Sequence, residues 1–231
     1  MEHATSSECR TIVMEYLLHY SYKNSAKALL KDLNQFDDGD SREKSKSILF
    51  ENDIDWGKVD ARKEIHQAIV QGEIDVAFRL LEVHFPVLLQ SVYEGKTSGA
   101  HFTLHKLRCQ EFVEKVKKEG EMKAIAFAQA YLQPSHAVYR EITDAVTCLL
   151  AYTDYDQNPK TRDITGQGRR DTIANQVNEM ILESQQFSSQ TIMEKLWRHK
   201  TVVRNELNHQ IQLELSEHEK EFDMLEKEIA Q

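Results

Sequence analysis

His101, His105 and Cys109 recur at i, i+4 and i+8, so on a helix they share one face and could offer two imidazoles and a thiolate to a metal ion. A closed zinc site needs a fourth ligand, commonly from another element, and no second cluster is near in sequence. The expectation is no metal site, with Cys109 packed and the two histidines partly exposed. The run Gly166-Gln167-Gly168-Arg169-Arg170 imitates a phosphate loop, because glycines and arginines ahead of a helix can cradle an anion. Such loops follow a strand in a βαβ unit, and no strand precedes this one. A connection between helices, or a loop that docks a partner, is expected there instead. Cys109 or Cys148 as a nucleophile would need a base and an orienting group that helical spacing does not supply. Cys148 stands beside Leu149 and Leu150 and reads as a small buried hydrophobe. Asp37 and Asp38 are paired acids in a solvated stretch. No catalytic residue, metal ligand or cofactor follows from these patterns, and the chain is expected not to be an enzyme.

The elements that would position these residues read as helices throughout. Thr5 with Glu8 forms a capping box that starts a helix near Ser6, and Ile12, Val13, Tyr16, Leu17 and Tyr20 give it one apolar stripe. Ser21 ends that helix or caps the next, whose stripe is Tyr22, Ala26, Leu29, Leu30 and Leu33. A hairpin this short cannot bury both faces by itself, so it docks on the body of the chain or dimerises. Asn34 to Ser47 reads as a polar linker, followed by an anchoring patch of Ile48, Leu49, Phe50, Ile54 and Trp56.

Asp60 reads as the N-cap of a helix carrying Ile65, Ala68 and Ile69 that Gly72 stops. The next helix holds Ile74, Ala77, Phe78 and Leu81 and ends before Pro86, which opens a short one with Val87, Leu88 and Leu89. Beyond a Gly95–Gly99 loop, Leu104, Leu107, Phe112, Val113 and Val116 mark a helix that ends on lysines and Gly120. Ile125 to Leu132 forms another, closed before Pro134, and Ala137 to Tyr152 a further one. Thr153 to Arg170 reads as an irregular polar loop. Two helices follow: one has Ile173, Val177, Met180 and Ile181, and the other begins near Ser189 and carries Ile192, Leu196, Trp197, Val203, Leu207 and Ile211. Past Leu215 charges crowd the sequence, and a frayed or partner-dependent helix is expected.

Composition agrees with helices. Only 8 Gly and 3 Pro interrupt 231 residues, and 40% of the residues are hydrophobic, enough for a core. The net charge of −9 argues against nucleic acid as a main ligand, since phosphate contacts need cations. Three widely spaced cysteines predict reduced thiols, and no apolar run reaches the roughly 20 residues of a membrane span. Without a signal-peptide pattern, the expected location is cytoplasmic and nuclear.

Cys9 to Leu33 resembles the LisH dimerisation motif, with Tyr16, Leu17, Tyr22, Ser25, Ala26 and Asp32 at its expected places and Ser21 where glycine is usual. Ala61 to Leu89 is similar to the CTLH motif (helix, Gly turn, Ala-rich helix, Pro-x-Leu-Leu), and Phe102 to Val116 resembles its closing helix. Ala124 to Leu132 and Cys148 to Pro159 are similar to the CRA segment. The chain thus resembles the LisH–CTLH–CRA family. The order implies LisH over 7–39, a linker over 40–57, CTLH over 58–116, CRA over 117–215 and a charged tail over 216–231.

The fold implied is all-α: a LisH hairpin, a polar linker, then a continuous CTLH–CRA helical bundle. Neither a SPRY domain, as in the Ran-binding members, nor a RING cluster, as in the catalytic arms, is expected from these residues. The chain therefore looks like the small scaffold subunit of the glucose-induced-degradation (CTLH) type of E3 ubiquitin ligase. LRCQEFVE, residues 107–114, is closer to the Ran-binding members, which leaves a signalling adaptor outside a ligase as the alternative. The partners implied are other LisH–CTLH–CRA subunits, RING-bearing and SPRY-bearing, with homo- or hetero-dimerisation through LisH, and neither nucleic acid nor membrane. Ile12, Val13, Tyr16, Leu17 and Tyr20 would form one interface, and Ile192, Leu196, Trp197 and Leu207 another.

Overall fold

The computed structural model describes residues 6–36, 54–93, 99–152, 155 and 158–229. Eleven α-helices and no strand occur among them. They are α1 (Ser6–His19), α2 (Lys23–Phe36), α3 (Trp56–Gln71), α4 (Ile74–His84), α5 (Pro86–Tyr93), α6 (Gly99–Glu119), α7 (Glu121–Phe127), α8 (Arg140–Thr147), α9 (Pro159–Thr165), α10 (Gln167–Ser184) and α11 (Ile192–Ile229). The predicted linker up to residue 53, with Asp37, Asp38 and Ile48 to Phe50, lies outside the described residues, as does Thr5.

The chain forms two compact units, residues 17–189 and residues 1–16 with 190–231. In the larger unit α3 packs on α4 and α10, and α6 packs on α4, α5, α7, α8 and α10. One core gathers Ile65 and Ile69 of α3, Leu81 of α4, Leu107 of α6 and Val177 and Ile181 of α10. A second holds Phe112 and Val113 of α6, Phe127 of α7, Val146 of α8 and Leu149. Because α6 contributes its first half to one core and its second half to the other, the CTLH and CRA segments share one continuous bundle.

Several local expectations are corrected. Asp55, not Asp60, caps α3: its Oδ1 accepts from the amides of Gly57 and Lys58 at 3.1 Å. Asp60 lies inside the helix and pairs instead with Lys23 of α2. The helix carrying Ile125 does not simply close before Pro134. It widens into a π-helical turn over Ala128–Leu132 and then tightens into a 3₁₀ turn over Gln133–Ser135. Proline has no amide to donate and its ring collides with the carbonyl four residues back, so the regular hydrogen-bond ladder cannot pass through. The following helix begins at Arg140 rather than Ala137 and ends in a 3₁₀ turn over Cys148–Ala151. The expected irregular loop before Arg170 contains α9, which Pro159 opens at its first position, where a missing amide costs nothing.

Gly72 stops α3 as expected and does more. It adopts φ 75°, and the Glu73 amide bonds Ala68 O at 2.8 Å while its own amide bonds Ile69 O at 3.0 Å, a Schellman closure. A Cβ on Gly72 would stand 2.8 Å from Glu114 Oε2 and 3.0 Å from Arg170 Nη2. Gly72→Ala is therefore expected to lose about 1–3 kcal/mol, the left-handed penalty plus the displaced ion pair. Urea denaturation would check this, and an unchanged midpoint would contradict it.

Candidate protein-interaction surfaces

The chemistry-bearing residues are spent on packing. His105 is buried, with Nε2 2.9 Å from Thr143 Oγ1, and His101 Nδ1 is 2.6 Å from Tyr139 OH. Among the described residues, no three His, Cys, Asp or Glu side chains converge closely enough to hold a metal ion. Cys109 is buried in the second core, and burial pushes its thiol up to about 11, so it is protonated at neutral pH and a poor nucleophile. Two expectations are reversed here: His105 is buried rather than partly exposed, and Cys148 is exposed rather than buried. The short 3₁₀ turn rotates Cys148 outward, and its Sγ donates to Ala145 O at 2.9 Å.

Burial and the neighbouring His101 lower His105 to about 4. Above its ordinary value of 6.5 the ring is neutral in both folded and unfolded chains and has no effect on pH dependence. As pH falls from 6.5 towards 4, only the unfolded chain takes up the proton, so stability is lost across that window, by at most about 3 kcal/mol. The stability gap between wild type and His105→Gln should narrow or invert over that range. Parallel curves from pH 7 to 4 would refute the assignment.

The two arginines of the glycine-flanked run face inward. Arg170 grips Glu114 with two hydrogen bonds, Nε to Oε1 and Nη2 to Oε2, both 2.7 Å. Glu114 is only 4% exposed; Gln110 Nε2 donates to its Oε1 at 2.9 Å, and Arg169 Nε donates to Gln110 Oε1 at 3.0 Å. Lys118 Nζ and Gln167 Nε2 reach back to the end of α3, to Gly72 O at 2.8 Å and Val70 O at 3.0 Å. This network joins the end of α3, the middle of α6 and the start of α10. No buried side-chain polar atom among the described residues lacks a partner. With Arg170 bonded to Glu114 and Arg169 to Gln110, the arginines are poorly placed to hold a phosphate.

A second polar clip receives the end of α1. Arg62 of α3 is buried, donating from Nη1 to His19 O and Asn178 Oδ1, both 2.9 Å, and from Nη2 to Leu18 O at 2.6 Å. Asn178 of α10 adds a bond to His19 O at 3.1 Å. Burial lowers Arg62 to about 10, which still leaves it charged at neutral pH. Ser21, at φ 56°, closes α1 where glycine would be strain-free. Ala26 and Leu30 of α2 are buried, so α2 is docked on the bundle rather than left as a free arm.

Apolar residues also remain exposed. Along α1, Val13 is exposed and Ile12, Tyr16 and Leu17 are half-buried, as is Tyr20 just past its end, whereas Met14, outside the predicted stripe, is buried. Ile192, Leu196, Trp197 and Leu207 of α11 are 39%, 52%, 67% and 53% exposed. The helix begins at Ile192, later than Ser189, because Thr191 and Glu194 form a reciprocal capping box, with bonds of 2.9 and 3.1 Å. Glu15 Oε2 accepts a further amide bond, from Ile192 N at 3.1 Å. Past Leu215, α11 runs on to Ile229.

Polar clusters that serve packing, and a long helix with exposed apolar residues, suit a protein-interaction module. The family model described as "CTLH/CRA C-terminal to LisH motif domain" matches residues 58–208. The chain belongs to that CTLH family. No helix among the described residues is long and apolar enough to cross a membrane.

Proposed function

We propose that the chain is a non-catalytic scaffold subunit of a multisubunit E3 ubiquitin ligase of the glucose-induced-degradation (CTLH) type, acting in the cytoplasm and nucleus. It joins RING-bearing subunits to SPRY-bearing substrate receptors, with Ile12, Val13, Tyr16, Leu17 and Tyr20 at one interface and Ile192, Leu196, Trp197 and Leu207 at another. The observation that carries this reading is the exposed apolar face of α11 in a chain of the CTLH family. Water-exposed leucine and tryptophan along one helix are stabilised when another protein covers them.

The mechanism is positional. Holding substrate near the charged ubiquitin carrier raises the effective concentration of the substrate's lysines and requires no acid, base or metal from the scaffold.

Purification of the tagged full-length protein from its native cell, with mass spectrometry, tests the proposal. RING-bearing and SPRY-bearing LisH–CTLH–CRA proteins are expected, and Leu196→Asp with Trp197→Ala should lose at least one class while the fold persists. Recovery of signalling proteins without any RING subunit would favour the Ran-binding type of adaptor instead.

A further inference from the structure

The arginines of the bundle differ in what holds them. Arg62 and Arg170 are fixed in place and commit their donors to buried acceptors. Arg79 and Arg140 are exposed, and each pairs with a carboxylate one turn away on its own helix, Asp75 and Asp144. Arg108 of α6 is held in place and still leaves donors open. Its guanidinium carbon lies over two rings, 3.6 Å from the centre of Phe78 in α4 and 4.7 Å from that of Tyr131. Nη1 donates to Glu111 Oε2 at 2.7 Å. Among the described residues none accepts from Nε or Nη2, and none of the buried side-chain polar atoms lacks a partner. That edge of the guanidinium therefore meets water, and the side chain is 30% exposed.

Tyr131 belongs to the π-helical turn over Ala128–Leu132. Within that turn Leu132 enters the core, while Tyr131 lies against Phe127, ring centres 4.8 Å apart, and stays half in water. Wide turns of this kind interrupt the hydrogen-bond ladder of a helix and often stand at functional sites. The Nε and Nη2 groups of an arginine point two N–H bonds in parallel, at the spacing of the two oxygens of a carboxylate. The rings and Glu111 already order the Arg108 side chain, so a ligand would not have to freeze it. Glu111 also selects among anions. Its own negative charge repels a phosphate dianion more strongly than a singly charged carboxylate.

We propose that the Nε–Nη2 edge of Arg108, framed by Phe78 and Tyr131, receives an aspartate or glutamate carboxylate from a different subunit of the assembly. The inference rests on reading the chain as a scaffold subunit and deepens it, because it names the chemistry of one contact outside α1 and α11. An arginine and a tyrosine side by side, ordered before binding and partly open to water, are the residue types on which interfaces anchor.

The test compares the isolated full-length chain with the assembly purified from its native cell. Phenylglyoxal, which adds to accessible guanidinium groups, should modify Arg108 in the isolated chain and far less in the assembly. Equal modification in both, or none in the isolated chain, would overturn the proposal. In a second arm Arg108→Lys sets an amine at the same point, and a carbodiimide should couple it to an Asp or Glu of another protein, read by mass spectrometry of the linked peptides. Coupling to Glu111 alone, or to a second copy of this chain, would overturn it. Arg108→Glu should weaken association with the coupled subunit by roughly tenfold or more, and changing the partner's coupled acid to arginine should restore it. A variant that had merely misfolded could not be restored in this way, so failure of the charge reversal would also count against the contact. RING-bearing and SPRY-bearing subunits recovered with Arg108 fully reactive would remove the contact and leave the scaffold role standing. A protected and coupled Arg108 in an assembly without RING-bearing subunits would keep the contact and remove the ligase role.

Discussion

Arg170→Met should lower folding stability by about 3–5 kcal/mol, the cost of leaving a buried carboxylate without its cation. Glu114 is nearly inaccessible, and its two oxygens take both bonds of the Arg170 fork. With the guanidinium gone, Gln110 and the more distant Lys118 ammonium, 3.7 Å away, are left to solvate the charge. Removing both partners, as Glu114→Leu with Arg170→Met, should recover much of the loss, since apolar replacements of an ion pair carry no desolvation cost. A double-mutant cycle in urea reads this directly. If the single variant lost less than about 1 kcal/mol, the network would be decoration rather than a joint between α3, α6 and α10.

The second large effect is expected at Arg62. Arg62→Met should cost about 2–4 kcal/mol, because the carbonyls of Leu18 and His19 lose a charged donor in a buried place. The loss should also be local. Amide hydrogen exchange should accelerate across residues 17–36, where the clip holds the chain to α3 and α10, and change little in Ile65 or Val177. Arg62→Lys should rescue only part of it, since an ammonium is a point donor and cannot span three acceptors. Uniform exchange throughout the chain, with no local loss, would show that Arg62 supports the whole bundle and not the end of α1 in particular.

Much of the architecture was legible in the residues. Apolar spacing of three and four located α4, α6 and α10, and the order of the hairpin, the Gly-turn helices and the segment around Cys148 carried the family. Gly72 was readable as a stop because only a residue without Cβ takes its backbone turn without strain. The capping box at Thr191 and Glu194 is equally present in the sequence, as a threonine and a glutamate three residues apart. Pro159 fits a loop and a helix start equally well by its type, and the structure makes it a helix start.

Other features had no local signature. A sequence fixes which faces are apolar and where a helix can begin, because those depend on neighbours within one or two turns. It does not fix which distant polar groups will meet. Arg62, Asn178 and His19 are joined across up to 159 positions, and Glu114 finds Arg170 56 positions away. Whether an arginine serves a ligand or a buried carboxylate depends on what packing brings within 3 Å of it, and so does the difference between an inert Cys109 and an exposed Cys148. Spacing alone placed Ile192, Leu196, Trp197 and Leu207 on one face; only the tertiary structure decided that the chain leaves that face in water.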